Sequence, residues 1–203
     1  MSSNKNRLFL LILVLSLLSG CFGGGATTPV RYYLIDPMDY SSNTVKAVRE
    51  LSVSIIDLHI PQYLDRFHIA KRTNESQLEF SEDNQWGEGL RKNLLRTLAR
   101  NLSKLLSTVD VSTPLNRSSS SPDYTLQVDI EQFEQDVDNK IKLVARWQLS
   151  GTQQSEPLGI YSAELQSEQT VEVDNYDQMV SVMRDMFGEL SNRIAESIIS
   201  QES

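Results

Sequence analysis

The sequence predicts a single α+β domain, in which a mainly antiparallel sheet is covered on one face by two long helices. Several segments between residues 51 and 165 alternate apolar and polar residues, as strands with one buried face do. Two other segments repeat apolar residues with a period near 3.6, as amphipathic helices do. The 203 residues, 39% of them hydrophobic, are enough to bury one core of ordinary size, and no repeat divides the chain.

The first half of the body is predicted to hold short strands. In residues 51–60 the alternation changes phase at Ile55-Ile56, which predicts a β-bulge or a strand buried on both faces. Asp36-Pro37 and Pro61 end two of these segments, because proline cannot donate a backbone hydrogen bond to a ladder. The predicted strands cover residues 32–35, 51–60, 67–70 and 78–80, with a turn at 74–76.

A helix is predicted from about Asn84 to Ser107. One face carries a leucine stripe and the other a basic stripe, so the helix is amphipathic. The basic face has two interpretations, a solvated surface, which is the commoner case, or a contact for an acidic partner or a membrane. The leucines are Leu90, Leu94, Leu98, Leu102 and Leu106, and the basic residues are Arg91, Lys92, Arg96, Arg100 and Lys104.

The second half is predicted to contain a hairpin, a third strand and a closing helix. Asp174 or Asn175 can cap that helix, because both side chains accept hydrogen bonds from the first free backbone N–H groups. The predicted strands cover residues 109–111, 124–130, 141–149 and 160–165, with a polar hairpin connection at 135–139 and the helix over 176–200.

The N-terminal segment is predicted to be a lipoprotein signal peptide. Lys5 and Arg7 precede an apolar run over residues 8–18 that is too short to span a membrane and fits a secretory signal. The run leads to Leu-Ser-Gly-Cys at residues 18–21, which resembles a bacterial lipobox. By that resemblance residues 1–20 are removed and Cys21 carries a covalent lipid. Residues 21–31 form a flexible tether, and residues 32–203 form the domain.

Composition and spacing disfavour several classes of activity. The net charge of −8 argues against nucleic acid as a partner, because phosphate binding needs a basic face, and it also disfavours anionic headgroups. One cysteine and two histidines leave little for a metal site. His59, His68, Asp57 and Asp65 show no spacing typical of a nucleophile and base. Asp129 and Glu131 fit the solvent side of a strand. We therefore expect no enzymatic activity and no cofactor other than the lipid.

Two segments carry the candidate binding residues. Residues 60–66, Ile-Pro-Gln-Tyr-Leu-Asp-Arg, place an Asp-Arg pair and large apolar groups in a turn after a strand. Residues 85–90, Gln-Trp-Gly-Glu-Gly-Leu, open the first predicted helix with two glycines, against local helix propensity. A structural role for both segments, in turn locking and core packing, is the alternative to a partner contact. The predicted partner-binding residues are Pro61, Tyr63, Leu64, Asp65, Arg66 and Trp86.

These segments resemble the ABC-type transport auxiliary lipoprotein family, the PqiC/YmbA-like proteins associated with MCE-type lipid transport. The matching stretches are residues 32–34, 58–66, 86–90, 176–180 and 190–195, so the resemblance covers nearly the whole body. It implies a non-enzymatic lipoprotein on the periplasmic face of the outer membrane, where Phe22, rather than Asp, after the lipidated cysteine is consistent with outer-membrane sorting. Its partner would be an MCE-domain membrane protein that spans the periplasm, and we also expect a homo-oligomer. A periplasmic chaperone that carries a single lipid is the alternative.

The lipobox generates a direct prediction. We expect Cys21→Ser to leave an unprocessed or soluble precursor, because no thiol remains to carry the diacylglycerol that holds the chain in the membrane. Radiolabelled palmitate incorporation together with membrane fractionation measures this. Outer-membrane localisation of Cys21→Ser equal to that of the wild type would contradict lipid anchoring.

Overall fold

The computed structural model describes residues 28–38, 50–116, 121–151 and 157–202. The predicted signal peptide, Cys21 and the first part of the tether lie outside the described residues. The strands are β1 Arg31–Tyr33, β2 Val53–His59, β3 His68–Asn74, β4 Gln77–Trp86, β5 Val111–Ser112, β6 Tyr124–Gln135, β7 Ile141–Gly151 and β8 Gly159–Gln166. The helices are α1 Leu90–Leu105 and α2 Tyr176–Ile199, followed by a 3₁₀ turn at Ser200–Glu202.

All eight strands join one mixed sheet. Its order is β1-β4-β3-β6-β2-β5, and β7 followed by β8 extends it from the other edge of β6. The longest ladders, β6–β7 and β7–β8, are antiparallel, as is β3–β4. The pairs β1–β4, β2–β5, β2–β6 and β3–β6 are parallel. The α+β class is confirmed, and the prediction of a mainly antiparallel sheet is refined by these parallel pairs, since alternation identifies a buried face but not a neighbour or its direction.

Strand β6 is the centre of this sheet because it pairs with three other strands. The first part of β6 pairs with β2, from Tyr124 to Asp129. At its other end β6 pairs with β3 at the single position Lys71↔Gln135. The strands β1, β4 and β3 are therefore joined to the rest of the sheet by a very short backbone ladder.

The bulge predicted in β2 is present. The register between β2 and β6 shifts between Ile55 and Asp57, so one residue of β2 has no partner in the ladder. Ile56 is half-exposed at this position, while Ile55 and Leu58 on either side are buried. The change of phase in the sequence thus reflects an extra residue rather than burial of both faces.

Helix α1 begins later than the sequence predicted. Strand β4 continues to Trp86, and α1 starts at Leu90 after the N-cap Gly89, which supplies no side-chain hydrogen bond. Helix α2 begins where predicted, because the side chain of Asn175 accepts a hydrogen bond of 3.0 Å from the backbone N–H of Gln178. The start near Asn84 was wrong because residues 81–85 are polar and show no strand alternation.

The core lies between the two helices and one face of the sheet. Phe133 of β6 and Phe187 of α2 stack with ring centroids 6.1 Å apart. Within this layer the indole Nε1 of Trp147 donates a hydrogen bond to Ser197 Oγ at 3.0 Å. The buried positions of the two helices include Leu94, Leu98 and Leu102 of α1 and Met183, Phe187 and Leu190 of α2, as the two apolar stripes predicted.

The segment that follows β1 is hydrogen-bonded to side chains of α1. The backbone N–H of Ile35 donates to Asn93 Oδ1 at 2.8 Å, and its carbonyl oxygen accepts from Thr97 Oγ1 at 2.7 Å and from Asn93 Nδ2 at 3.2 Å. Because Ile35, Asn93 and Thr97 are all buried, these bonds satisfy backbone groups that water cannot reach. The chain that leads from the tether into the domain is thus held in the core.

Leu98 tests the assignment of this core. It is fully buried, so we expect Leu98→Ala to lower the free energy of unfolding by about 2–5 kcal/mol, through lost transfer energy and a residual cavity. Chemical denaturation followed by circular dichroism measures the change. Val109→Ala is the control, because Val109 is 91% exposed and its truncation should change stability by less than about 0.5 kcal/mol. Equal midpoints for Leu98→Ala and the wild type would contradict the assignment.

Candidate partner-binding site

The predicted binding turn follows β2 and is closed by its own backbone. The N–H groups of Leu64 and Asp65 both donate to the carbonyl of Pro61, at 2.9 and 3.3 Å. The side chain of Leu64 is buried by this turn, and Pro61 is half-buried. Leu64 was predicted to contact a partner, but its side chain belongs to the core of the described structure.

Tyr63 connects the turn to a buried carboxylate. Its hydroxyl donates to Glu134 Oε2 at 2.7 Å, and Arg72 donates to Glu134 Oε1 from Nη2 at 2.8 Å and from Nε at 3.1 Å. The side chain of Glu134 has no exposed surface. The pKa of Tyr63 is raised mainly because its phenol is buried, and also because it is hydrogen-bonded to the carboxylate of Glu134. The same carboxylate raises the pKa of Arg72. Tyr63 therefore has a structural partner of its own.

Asp65 and Arg66 lie on the surface. The guanidinium of Arg66 stands 4.9 Å from the centroid of the Phe80 ring, a cation–π contact, and in the described part of the chain it forms no ion pair with Asp65. The expected Asp-Arg lock of the turn is thus replaced by stacking of Arg66 on β4. Phe67, the next residue, is 59% exposed.

Trp86 is a core residue rather than a surface residue. Its side chain is 3% exposed, and its backbone N–H donates to the carbonyl of Phe67 at 2.6 Å. Trp86 was predicted to contact a partner, and its burial excludes a direct contact in this conformation. It is the last residue of β4 and lies opposite Tyr33 of β1.

Further exposed apolar side chains lie on and just after β1. Tyr32 is 67% exposed and Leu34 is 42% exposed, on and just after β1. The ladder places Tyr32 opposite Gln85, and Gln85 is also opposite His68, the residue after Phe67. We call four exposed residues, Tyr32 and Leu34 on and just after β1 and Arg66 and Phe67 just before β3, the β1 patch. The sequence did not identify three of its four members, because a strand pattern does not show which face remains uncovered.

Some of the residues considered for chemistry lie close together, since Asp57, His59 and Asp129 line one surface pocket and the β2–β6 ladder pairs His59 with Asp129. Asp57 lies 3.5 Å from Arg91, and His68 Nε2 lies 3.5 Å from Gln85 Nε2. Arg146 bridges the carboxylates of β6, at 3.6 Å from Asp129 and 2.9 Å from Glu131. Within the described ranges, no three His, Cys, Asp or Glu side chains are grouped to hold a metal ion.

Comparison with known proteins identifies the family. The family model described as "ABC-type transport auxiliary lipoprotein component" matches residues 32–195, which is most of the chain. The chain belongs to the ABC-type transport auxiliary lipoprotein family. This auxiliary lipoprotein is 24% identical over 184 residues to proteins named intermembrane transport lipoprotein PqiC, from Escherichia coli strain K12 and from Shigella flexneri. Each match covers 89% of this chain and 91% of the relative.

Solved structures share the fold of the auxiliary lipoprotein. A crystal structure of protein XCC0632 from Xanthomonas campestris matches with a TM-score of 0.67 at 12% identity, over 85% of this chain and 94% of the other. A crystal structure of an uncharacterized protein matches with a TM-score of 0.65 at 22% identity, over 84% and 99%. Among the helices formed by the described residues, none has the length and apolarity that a membrane crossing requires.

Two substitutions separate the structural from the exposed residues of this auxiliary lipoprotein. We expect Tyr63→Phe to lower the free energy of unfolding by about 1–3 kcal/mol, because it removes a hydrogen bond to a buried carboxylate. Arg66→Ala should cost no more than about 1 kcal/mol, since it removes a surface cation–π contact. Urea denaturation measures both changes. A larger loss for Arg66→Ala than for Tyr63→Phe would show that Arg66, not Tyr63, holds the turn.

Proposed function

We propose that this auxiliary lipoprotein is anchored by a lipid on Cys21 to the periplasmic face of the outer membrane, where it docks the MCE-domain protein of an intermembrane lipid transport system. The observation that carries the proposal is the family match over residues 32–195, since it covers nearly the whole folded body. The name of the Escherichia coli relative, an intermembrane transport lipoprotein, supports transport between membranes.

The β1 patch supports a role in docking. Tyr, Phe and Arg are residue types enriched at the centres of protein interfaces, and the patch contains one of each as an exposed residue. The patch also follows the tether directly. Residues 22–31 reach at most about 35 Å when fully extended, so the patch stays close to the membrane that holds Cys21. A periplasm-spanning partner would meet it there.

Self-association through the same surface fits this role. A closed ring of identical subunits would present a repeated patch to the end of a tubular partner, and a ring needs a heterologous contact between two different faces of the subunit. The exposed apolar side chains of the β1 patch supply one of these faces.

A non-enzymatic role agrees with the placement of the titratable residues. Glu134 is held by Arg72 and Tyr63, and Asp129 and Glu131 are held by Arg146, so each has a structural partner. The alternative function, carriage of a whole lipid beneath the helices, would need a large cavity in the core. The helices instead pack directly on the sheet, with Leu98 and Phe187 fully buried between them.

Co-purification with the MCE-domain protein of the same transport system tests the docking role. We expect Phe67→Ser combined with Arg66→Glu to reduce co-purification by about tenfold or more, because truncated hot-spot residues at an interface centre commonly cost about 2 kcal/mol each. Purification from crosslinked membranes followed by quantitative immunoblotting measures the retained partner.

The matched control is Ile160→Ser, which removes a 69% exposed apolar residue from β8. This strand lies at the opposite edge of the sheet from β1. It should leave co-purification unchanged. Equal retention of the partner by the double variant and the control would contradict docking through the β1 patch, and loss of thermal stability in the double variant would return these residues to a structural role.

A further inference from the structure

A second surface feature is a groove beside the C-terminal half of α1. It encloses about 650 Å³ and shares no residue with the β1 patch. One side is formed by α1, and the other by the strand β5 and the turns before and after it. The apolar residues that line it are Pro37, Ala99, Val109, Val111 and Leu115.

Two of the apolar side chains that line this groove are largely exposed. Val109 is 91% exposed and Leu115 is 52% exposed, and both border the same groove. Exposed apolar residues that are grouped around a concavity, rather than scattered, mark a surface that covers an apolar ligand or partner.

Three cations of the basic stripe line the same groove. Arg96, Arg100 and Lys104 follow each other at intervals of four residues, so they lie above one another on one face of α1. Arg96 is already bound by the carboxylate of Glu88. Arg100 is exposed and forms no ion pair with any described residue. The guanidinium of Arg100 is therefore accessible to an anionic ligand.

Acidic residues near the groove include Glu88, Asp36 and Asp110. Glu88 and then Asp36 raise the pKa of Arg96, so both act on that guanidinium. Arg100 and Lys104 lie one and two helical turns further along. Asp110 lies between Val109 and Val111 and is half-buried. Although the chain has a net charge of −8, distant charges are screened within about 8 Å at physiological salt, so the local cations decide what binds.

We propose that this groove binds one anionic phospholipid, with its phosphate at Arg100 and its acyl chains on Val109, Val111 and Leu115. A cationic rim beside an apolar wall matches a ligand that is charged at one end and apolar at the other. The choice of a phospholipid, rather than another amphiphilic anion, rests on the proposed function in lipid transport. The groove would hold the headgroup and the first part of the chains while the rest stays outside.

Native mass spectrometry of the full-length lipoprotein in neutral detergent tests the proposal. The probes are phosphatidylglycerol, phosphatidylcholine with the same chains, and inorganic phosphate. We expect one phosphatidylglycerol per chain, weaker binding of phosphatidylcholine and no retained phosphate. Arg100→Glu and Val109→Asp should each weaken phosphatidylglycerol binding by about tenfold or more. The first removes the cation that binds the phosphate, and the second places a charge on the apolar wall that contacts the acyl chains.

Lys92→Glu is the matched control, since it reverses an exposed charge of the same helix outside the groove. It should leave lipid binding unchanged. Equal weakening by Lys92→Glu would mean that only overall charge matters, and equal retention of phosphatidylcholine and phosphatidylglycerol would mean unspecific apolar adsorption. Retention of inorganic phosphate at the same level would indicate a site for free anions. Each of these results overturns the proposal.

The same variants separate this proposal from the proposed function. Arg100→Glu should still co-purify with the MCE-domain protein, because the groove shares no residue with the β1 patch. A wild-type protein that docks this partner but binds no phosphatidylglycerol overturns the groove proposal and leaves the docking role intact. A wild-type protein that binds phosphatidylglycerol but does not dock the partner would overturn the docking role and leave the groove proposal intact.

Discussion

The attachment of β1, β4 and β3 to the rest of the sheet depends on one buried carboxylate. The backbone ladder between β3 and β6 has a single described position, Lys71↔Gln135. Glu134, the neighbour of Gln135, adds the ion pair to Arg72 and the hydrogen bond to Tyr63. A buried carboxylate that loses its cation destabilises a protein by several kcal/mol, so separating these strands from β6 carries a large free-energy cost. The surface on β1 thus keeps a fixed position relative to the core.

The elements with one buried face could be predicted from the sequence, and their neighbours could not. The hairpin of β6 and β7, the bulge at Ile56 and the Asn175 cap each have a local signal, in alternation, phase change or side-chain chemistry. The parallel neighbours of β2 have none, because pairing joins segments far apart in the chain. The end of β4 was missed for a related reason, since its polar residues 81–85 show no alternation.

The sequence did not show which of the candidate binding residues are buried and which are exposed. Leu64 and Trp86 were selected for their residue types, but apolar and aromatic types are as common in cores as in interfaces, and both are buried. Tyr32 and Phe67 were read only as strand residues, although both are exposed. The role of Glu134 could not be predicted from the polar residues around it, because its partners Tyr63 and Arg72 are distant in sequence.

The fastening of Ile35 along α1 has a mechanical consequence. If the chain is suspended from a lipid at Cys21, any force between the membrane and a bound partner enters the domain through Arg31 and the three-residue ladder of β1. Beyond that ladder the load reaches the Ile35 peptide group, whose bonds to Asn93 and Thr97 transfer it to a buried helix of sixteen residues. Tension on the chain before β1 would therefore be distributed over the hydrophobic layer and would not act on the edge of the sheet alone.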